Sequence, residues 1–258
     1  SVSLLVIVAT SIVAGMEEDM CDDSVVQSTG MSVETEQLAA QAAHVIRGAH
    51  QPNVSASQLQ EAHDLRGRIL GHESASIIAL QLIAMPEPFV RHFGLQVLLE
   101  TLRVRPHRVT GQQRTNVKTQ LLRLLIAESN VPWASCSPHY VQEKYAATVA
   151  EIARLDWPTK WPELLPALTT AGDSTSPAVL ALSFSVWQHI VETPANDSKD
   201  MTAVRRKELS IAINETFEKP KEAPFLVRFL EKGLQRHGAD AHVVKQALEV
   251  CRALPCVV

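Results

Sequence analysis

From Val33 onward the chain is one amphipathic helical segment after another, and no run alternates in the manner of a half-buried strand. Unbroken helical periodicity leaves only architectures in which helices pack on helices, and it constrains the fold more than any other feature of the sequence. The spacing predicts helices over 34–49, 57–70, 74–85, 88–104, 112–129, 137–155, 176–192, 203–217, 224–237 and 240–253. Gln51-Pro52-Asn53 breaks the first, Gly71 suits the end of the second, and Pro86 ends the third. Ser137-Pro138 and Ser176-Pro177 each read as a helix start, the serine capping and the proline taking the first helical position. Gly238 stops one late segment and Asp240 can cap the next.

Composition agrees. Hydrophobic residues make up 46% of the 258 positions while aromatics supply only 5%, so a large core must be built from Leu, Ala and Val, which suits helices better than sheets. With short connections, a helix pair recurs about every 35–50 residues, the range of HEAT-type repeats. The expected fold is all-α, a right-handed, curved solenoid of about five antiparallel helix pairs.

One segment shows how such helices are placed. Residues 88–104 are apolar around most of the circumference, through Phe89, Val90, Phe93, Leu95, Val97, Leu98, Leu99 and Leu102. The polar residues His92, Gln96, Glu100 and Arg103 form a single stripe. A helix apolar on three sides is sandwiched between neighbours, the position of an inner helix in a stacked solenoid, with the one polar stripe facing the concave groove. Similar stripes occur at Glu61, Asp64 and Arg68, and at Glu143, Glu151 and Arg154. Together these residues form a candidate concave, partner-binding face. They carry both signs of charge, which suits a protein surface better than phosphate.

Other features exclude whole classes of function. The net charge is −4 with acids and bases intermixed, unlike a protein that coats nucleic acid. Arg228, Lys232 and Arg236 form the best basic stripe, a possible phosphate contact, whereas Arg205-Arg206-Lys207 reads as a solvated helix face beside Glu208. Cys21, Cys136, Cys251 and Cys256 are sparse, as in a reducing compartment, and the last two read as buried cysteines at a helix end. The ten histidines look scattered, and no phosphate-binding loop, nucleophile elbow or zinc-protease helix is present, so neither catalysis nor a metal is expected. The apolar run Leu4 to Ala9 lacks a preceding basic residue and is shorter than the ~20 residues a membrane span needs. Residues 1–32 are expected to be a disordered or artefactual leader, with acidic positions Glu17, Glu18, Asp19, Asp22 and Asp23.

Two segments resemble a known family. Val90-Arg91-His92-Phe93-Gly94-Leu95-Gln96 is similar to a helix of the exportin-5 branch of the importin-β superfamily. Lys144 to Leu168 resembles the superfamily's double Trp-Pro turn, with Trp157-Pro158 and Trp161-Pro162 followed by Glu163, Leu164 and Leu165, where one helix ends and the next begins. The prolines stop the helix and pre-set the turn, and the indoles can fill a repeat corner, so a structural role is assigned to all four residues.

The resemblance implies an importin-β N-terminal-like region over about 33–105 and an exportin-1-like region over about 106–258. It implies a monomeric, non-enzymatic nuclear transport receptor that shuttles between nucleus and cytoplasm and does not enter membranes. Ran-GTP would bind the concave stripes, with the nucleotide carried by Ran, so this chain needs no cofactor. Phe-Gly nucleoporins and structured RNA or protein cargo, carried from nucleus to cytoplasm, would be the other partners, the cargo mostly through a C-terminal part beyond these residues. A HEAT-repeat scaffold without a transport role and an importin-type receptor are the alternatives.

Overall fold

In the computed structural model, helices form where the periodicity places them. The description covers residues 33–126, 133–135, 137–193, 201–217, 225–238 and 240–253, and omits the side chains of 216, 217, 225–228 and 253. The expected leader, and Cys21, Cys136 and Cys256, lie outside the described residues. The helices are α1 (Val33–Ala49), α2 (Ala56–Gly71), α3 (Ala75–Ala84), α4 (Pro88–Val104), α5 (Gly111–Ile126), α6 (His139–Asp156), α7 (Leu164–Gly172), α8 (Pro177–Glu192), α9 (Ala203–Phe217), α10 (Phe225–His237) and α11 (Ala241–Ala253). A short 3-10 turn, Pro106–Arg108, follows α4, and the described residues contain no strand. Periodicity alone did not mark α7, which has nine residues; the double Trp-Pro turn implied that a helix starts there.

Local chemistry sets several boundaries. Ser55 and Gln58 form a reciprocal capping box that opens α2. Asp240 caps α11 by accepting the backbone N–H groups of His242 and Val243. Ser176 and Pro177 occupy the expected cap and first helical positions of α8, although the serine makes no capping hydrogen bond. At α6 the expectation is corrected: Pro138 is the cap residue, and Ser137 instead donates to the Trp133 carbonyl while accepting from Arg91. Gly71 lies in the last turn of α2, and His72 is its cap, its backbone N–H donating to the Ile69 carbonyl.

The helices stack in two layers. One contains α1, α3, α5, α7 and α10; the other contains α2, α4, α6, α8 and α11, each member packing on the next. Sequential pairs across the two layers pack at α1/α2, α3/α4, α7/α8 and α10/α11, with α9 before the last pair, whereas α5 and α6 are joined by side chains such as Tyr145, which donates to the Leu121 carbonyl. The layers enclose one continuous apolar core. In α3 this burial reaches six of ten residues, Ala75, Ser76, Ile78, Ala79, Leu82 and Ile83. Each fully buried aliphatic side chain contributes about 1.5–3 kcal/mol relative to exposure. Gly94 lets α4 approach α3 closely, since a Cβ there would sit 2.8 Å from Leu82 Cβ and 2.9 Å from the Ala79 carbonyl oxygen. That contact gives a physical reason for glycine within the Phe-Gly-Leu-Gln motif.

Arginines from later segments close the carbonyl ends of earlier helices. Arg105 donates to the Leu70 carbonyl at 2.8 Å, with Arg108 at 3.5 Å from that of Gly71, both at the end of α2. Arg205 of α9 donates to the carbonyls of Ala153, Arg154 and Trp157 at the end of α6. A helix C-terminus presents carbonyls without intrahelical donors and the negative end of the helix dipole, so a guanidinium is a fitting cap. This corrects the solvated-face reading of Arg205. Its side chain is only 20% exposed.

A candidate partner-binding face

The three predicted stripes lie on α2, α4 and α6, which neighbour one another in a single layer. Their side chains are not equivalent. Glu61, Asp64 and Arg68 are exposed on α2 and line a shallow hollow with Ser57 and Gln60. Gln60 donates to Asp64 at 2.8 Å, and no cross-helix ion pair is formed by these charges among the described residues.

The stripes on α4 and α6 are instead joined by ions. Glu100 accepts two hydrogen bonds from Arg66 of α2, at 3.0 and 2.5 Å. Arg103 donates to Glu151 of α6 at 3.2 Å, and Arg154 donates to the other oxygen of Glu151 at 2.8 and 2.5 Å. The expectation of a uniformly solvated stripe is corrected for Glu151, which is buried, and for Arg154, whose side chain is 11% exposed. A carboxylate taken out of water must be paired, and two guanidiniums meet that demand here. Sequence reasoning missed Arg66, which lies one helix away from its partner.

His92 and Gln96 are half-buried on α4. The His92 ring meets Tyr140 edge-on, centroids 5.3 Å apart. Burial, then the charge of Lys144, then His50, hold His92 below the ordinary histidine range. On α6, Glu143 accepts from Ser185 at 2.8 Å and lies 3.3 Å from His189 Nε2. The hydrogen bond with His189 is the main reason that its carboxyl stays below the usual range, with Ser185 and the charges of His189 and His139 acting the same way against burial.

The double Trp-Pro turn joins α6 to α7, and both indoles are buried. The Trp157–Pro158 peptide is cis, and the Trp157 ring stands edge-to-face on Trp187 of α8, centroids 6.3 Å apart. Pro158 is half-buried, whereas Pro162 is exposed. Asp156, immediately before the turn, is clamped by Arg114 at 3.1 Å and Lys118 at 2.6 Å, both on α5.

The basic stripe on α10 divides. Lys232 and Arg236 both pair with Asp173, just beyond α7, and Arg236 also donates to the Asp173 carbonyl at 3.1 Å. They thus join α10 to the end of α7. The Arg228 side chain lies outside those described. Cys251 is an exposed thiol on α11, which corrects the expectation that it is buried. Among the described residues, no three or more His, Cys, Asp or Glu side chains are arranged to hold a metal ion, and no helix is long and apolar enough to cross a membrane.

Residues 138–254, from α6 to the end of α11, match a protein family described as "Exportin 1-like protein". The chain is 24% identical over 170 residues to "Exportin-5" of Dictyostelium discoideum, a match covering 64% of this chain and 14% of that protein. It is 25% identical over 129 residues to "Protein EXPORTIN 1A" of Arabidopsis thaliana, covering 50% and 12% of the two chains. The chain thus spans less than two thirds of the length of both relatives.

Proposed function

We propose, from its similarity to exportin-like proteins, that this chain is the Ran-binding portion of a nuclear transport receptor of the importin-β type. The observation that carries this reading is the adjacency of α2, α4 and α6 in one layer, beside the family match that begins at α6. Ran in its GTP form docks across that layer, and the exposed charges on α2 make the outer contacts. Glu61 and Asp64 are the residues whose charge is most available to a partner. Glu100 and Glu151 hold the layer in shape. RNA or protein cargo and Phe-Gly nucleoporins engage the longer receptor of which this region is a part, and the receptor shuttles between nucleus and cytoplasm. Ran-GTP and cargo both favour the same arrangement of the solenoid, so each raises the affinity for the other. Hydrolysis takes place on Ran.

The test is a titration of Ran-GTP against the parent and a Glu61→Lys, Asp64→Lys double variant, at low and high salt. Neither residue forms a cross-helix ion pair among the described residues, so the fold is expected to stay intact by circular dichroism. Affinity at low salt should fall about five- to tenfold, and the difference should shrink at high salt because exposed charges are screened. Equal affinities at low salt would remove the α2 charges from the Ran contact. Cargo binding that is lost when Ran-GTP is added would instead identify an importin-type receptor.

A further inference from the structure

Three histidines that look scattered in the sequence are gathered by the fold around Glu143 of α6. His189 of α8 lies 3.3 Å from one carboxylate oxygen, and His139, one turn before Glu143, lies 3.7 Å from the other. Ser185 donates to the same carboxylate at 2.8 Å. On its far side the His139 ring meets His242 of α11 edge-to-face, with centroids 5.2 Å apart and an angle of 85°. Three consecutive members of one layer, α6, α8 and α11, therefore share a single titratable cluster.

The remaining charges around it are few. Asp240 caps α11 and Lys245 lies on the same helix; Asp240 and Glu143 favour a charged His242, while His139 and Lys245 oppose it. On the other side of α6, α4 contributes His92, which sits beside Tyr140 and Lys144. Within α8, Glu192 is occupied by Gln188 at 3.0 Å.

We propose that the packing of α11 on α8 beside Glu143 is a proton-sensitive joint, in which a proton on His242, whose ring meets His139 of α6, loosens α11. His189 and His139 both face the Glu143 carboxylate, whereas His242 faces the His139 ring. Glu143 stays ionised throughout the histidine range, since its partners hold it below the usual carboxylate value. Burial, followed by the charge of His139, holds His242 below the ordinary histidine range. A histidine depressed in the docked state binds its proton more readily once α11 is released. Docking of α11 is then strongest above the ordinary histidine pKa and weakens as pH falls through that value toward the depressed one.

The experiment is amide hydrogen exchange on the chain at about pH 7.5 and about pH 5.5, values that bracket the histidine range. Rates are corrected for the intrinsic pH dependence of exchange, and α11 is compared with α8 in the same sample. Exchange in α11 relative to α8 should rise about two- to fivefold at the lower pH, a size suited to partly solvated charges. His242→Gln should abolish that pH response. The comparison is internal to each variant, so it remains readable if a substitution lowers global stability. A ratio that does not change with pH, or the same response in His242→Gln as in the parent, would overturn the joint.

Discussion

Replacing Trp161 with alanine is expected to lower the stability of the helical stack by about 3–5 kcal/mol, the range for truncating a large buried aromatic side chain. Trp161 is 1% exposed, among the largest fully buried side chains of the chain. It lies just before α7, where Leu164, Leu168 and Ala171 are also buried. The prolines on either side restrict the backbone, so the turn cannot easily collapse into the space the indole leaves. Trp157 on the other arm of the turn is locked against Trp187 of α8, which further limits relaxation. Urea unfolding of the parent and Trp161→Ala gives the comparison, with the midpoint shifting at an unchanged slope. Equal midpoints would show that the corner does not depend on this side chain. Trp161→Phe should recover part of the loss, because it restores a ring in the same cavity.

The second large effect is expected at Asp156. Its carboxylate is 1% exposed and faces Arg114 and Lys118, whose side chains are 21% and 12% exposed. Removing one member of such a cluster leaves buried positive charge without compensation, at a cost of about 3–5 kcal/mol. Asp156→Ala should therefore destabilise far more than Glu208→Ala, since the Glu208 side chain is 57% exposed. The Asp156 effect should also persist at high salt, since counter-ions reach buried pairs poorly. Thermal or urea unfolding at two salt concentrations checks both statements. A loss below ~1 kcal/mol, the level of a surface pair, would contradict the clamp.

The sequence made the helices legible because their signals are local. Capping at Asp240, proline at the start of α8 and the apolar circumference of α4 depend on residues a few positions apart. The double Trp-Pro turn was legible for the same reason, and it pointed to α7, whose nine residues are too short for periodicity to register. The candidate face was only half legible. Spacing correctly put the stripes on α2, α4 and α6, but it could not tell exposed charges from paired ones. Arg66 reaches Glu100 across 34 positions, and Arg103 reaches Glu151 across 48. Arg205 looked like a solvated cation because its acceptors, the last carbonyls of α6, are backbone groups about 50 positions away that carry no mark in the sequence. The cluster around Glu143 draws His189 and His242 from separate helices, so only the stacking of α8 and α11 reveals it. The rule that emerges is physical: properties set within one turn of helix are readable, while those set by the contact of two repeats are not.

Recognition of the GTP form of Ran by this double layer of helices is the proposal on which the rest depends. Its most direct test is calorimetric titration of the chain with Ran loaded with a non-hydrolysable GTP analogue and, separately, with GDP. The account predicts saturable binding to the GTP form and at least about tenfold weaker binding to the GDP form, equivalent to roughly 1.4 kcal/mol of discrimination. Equal affinity for the two forms, or no binding to either by a chain that unfolds cooperatively, would contradict it.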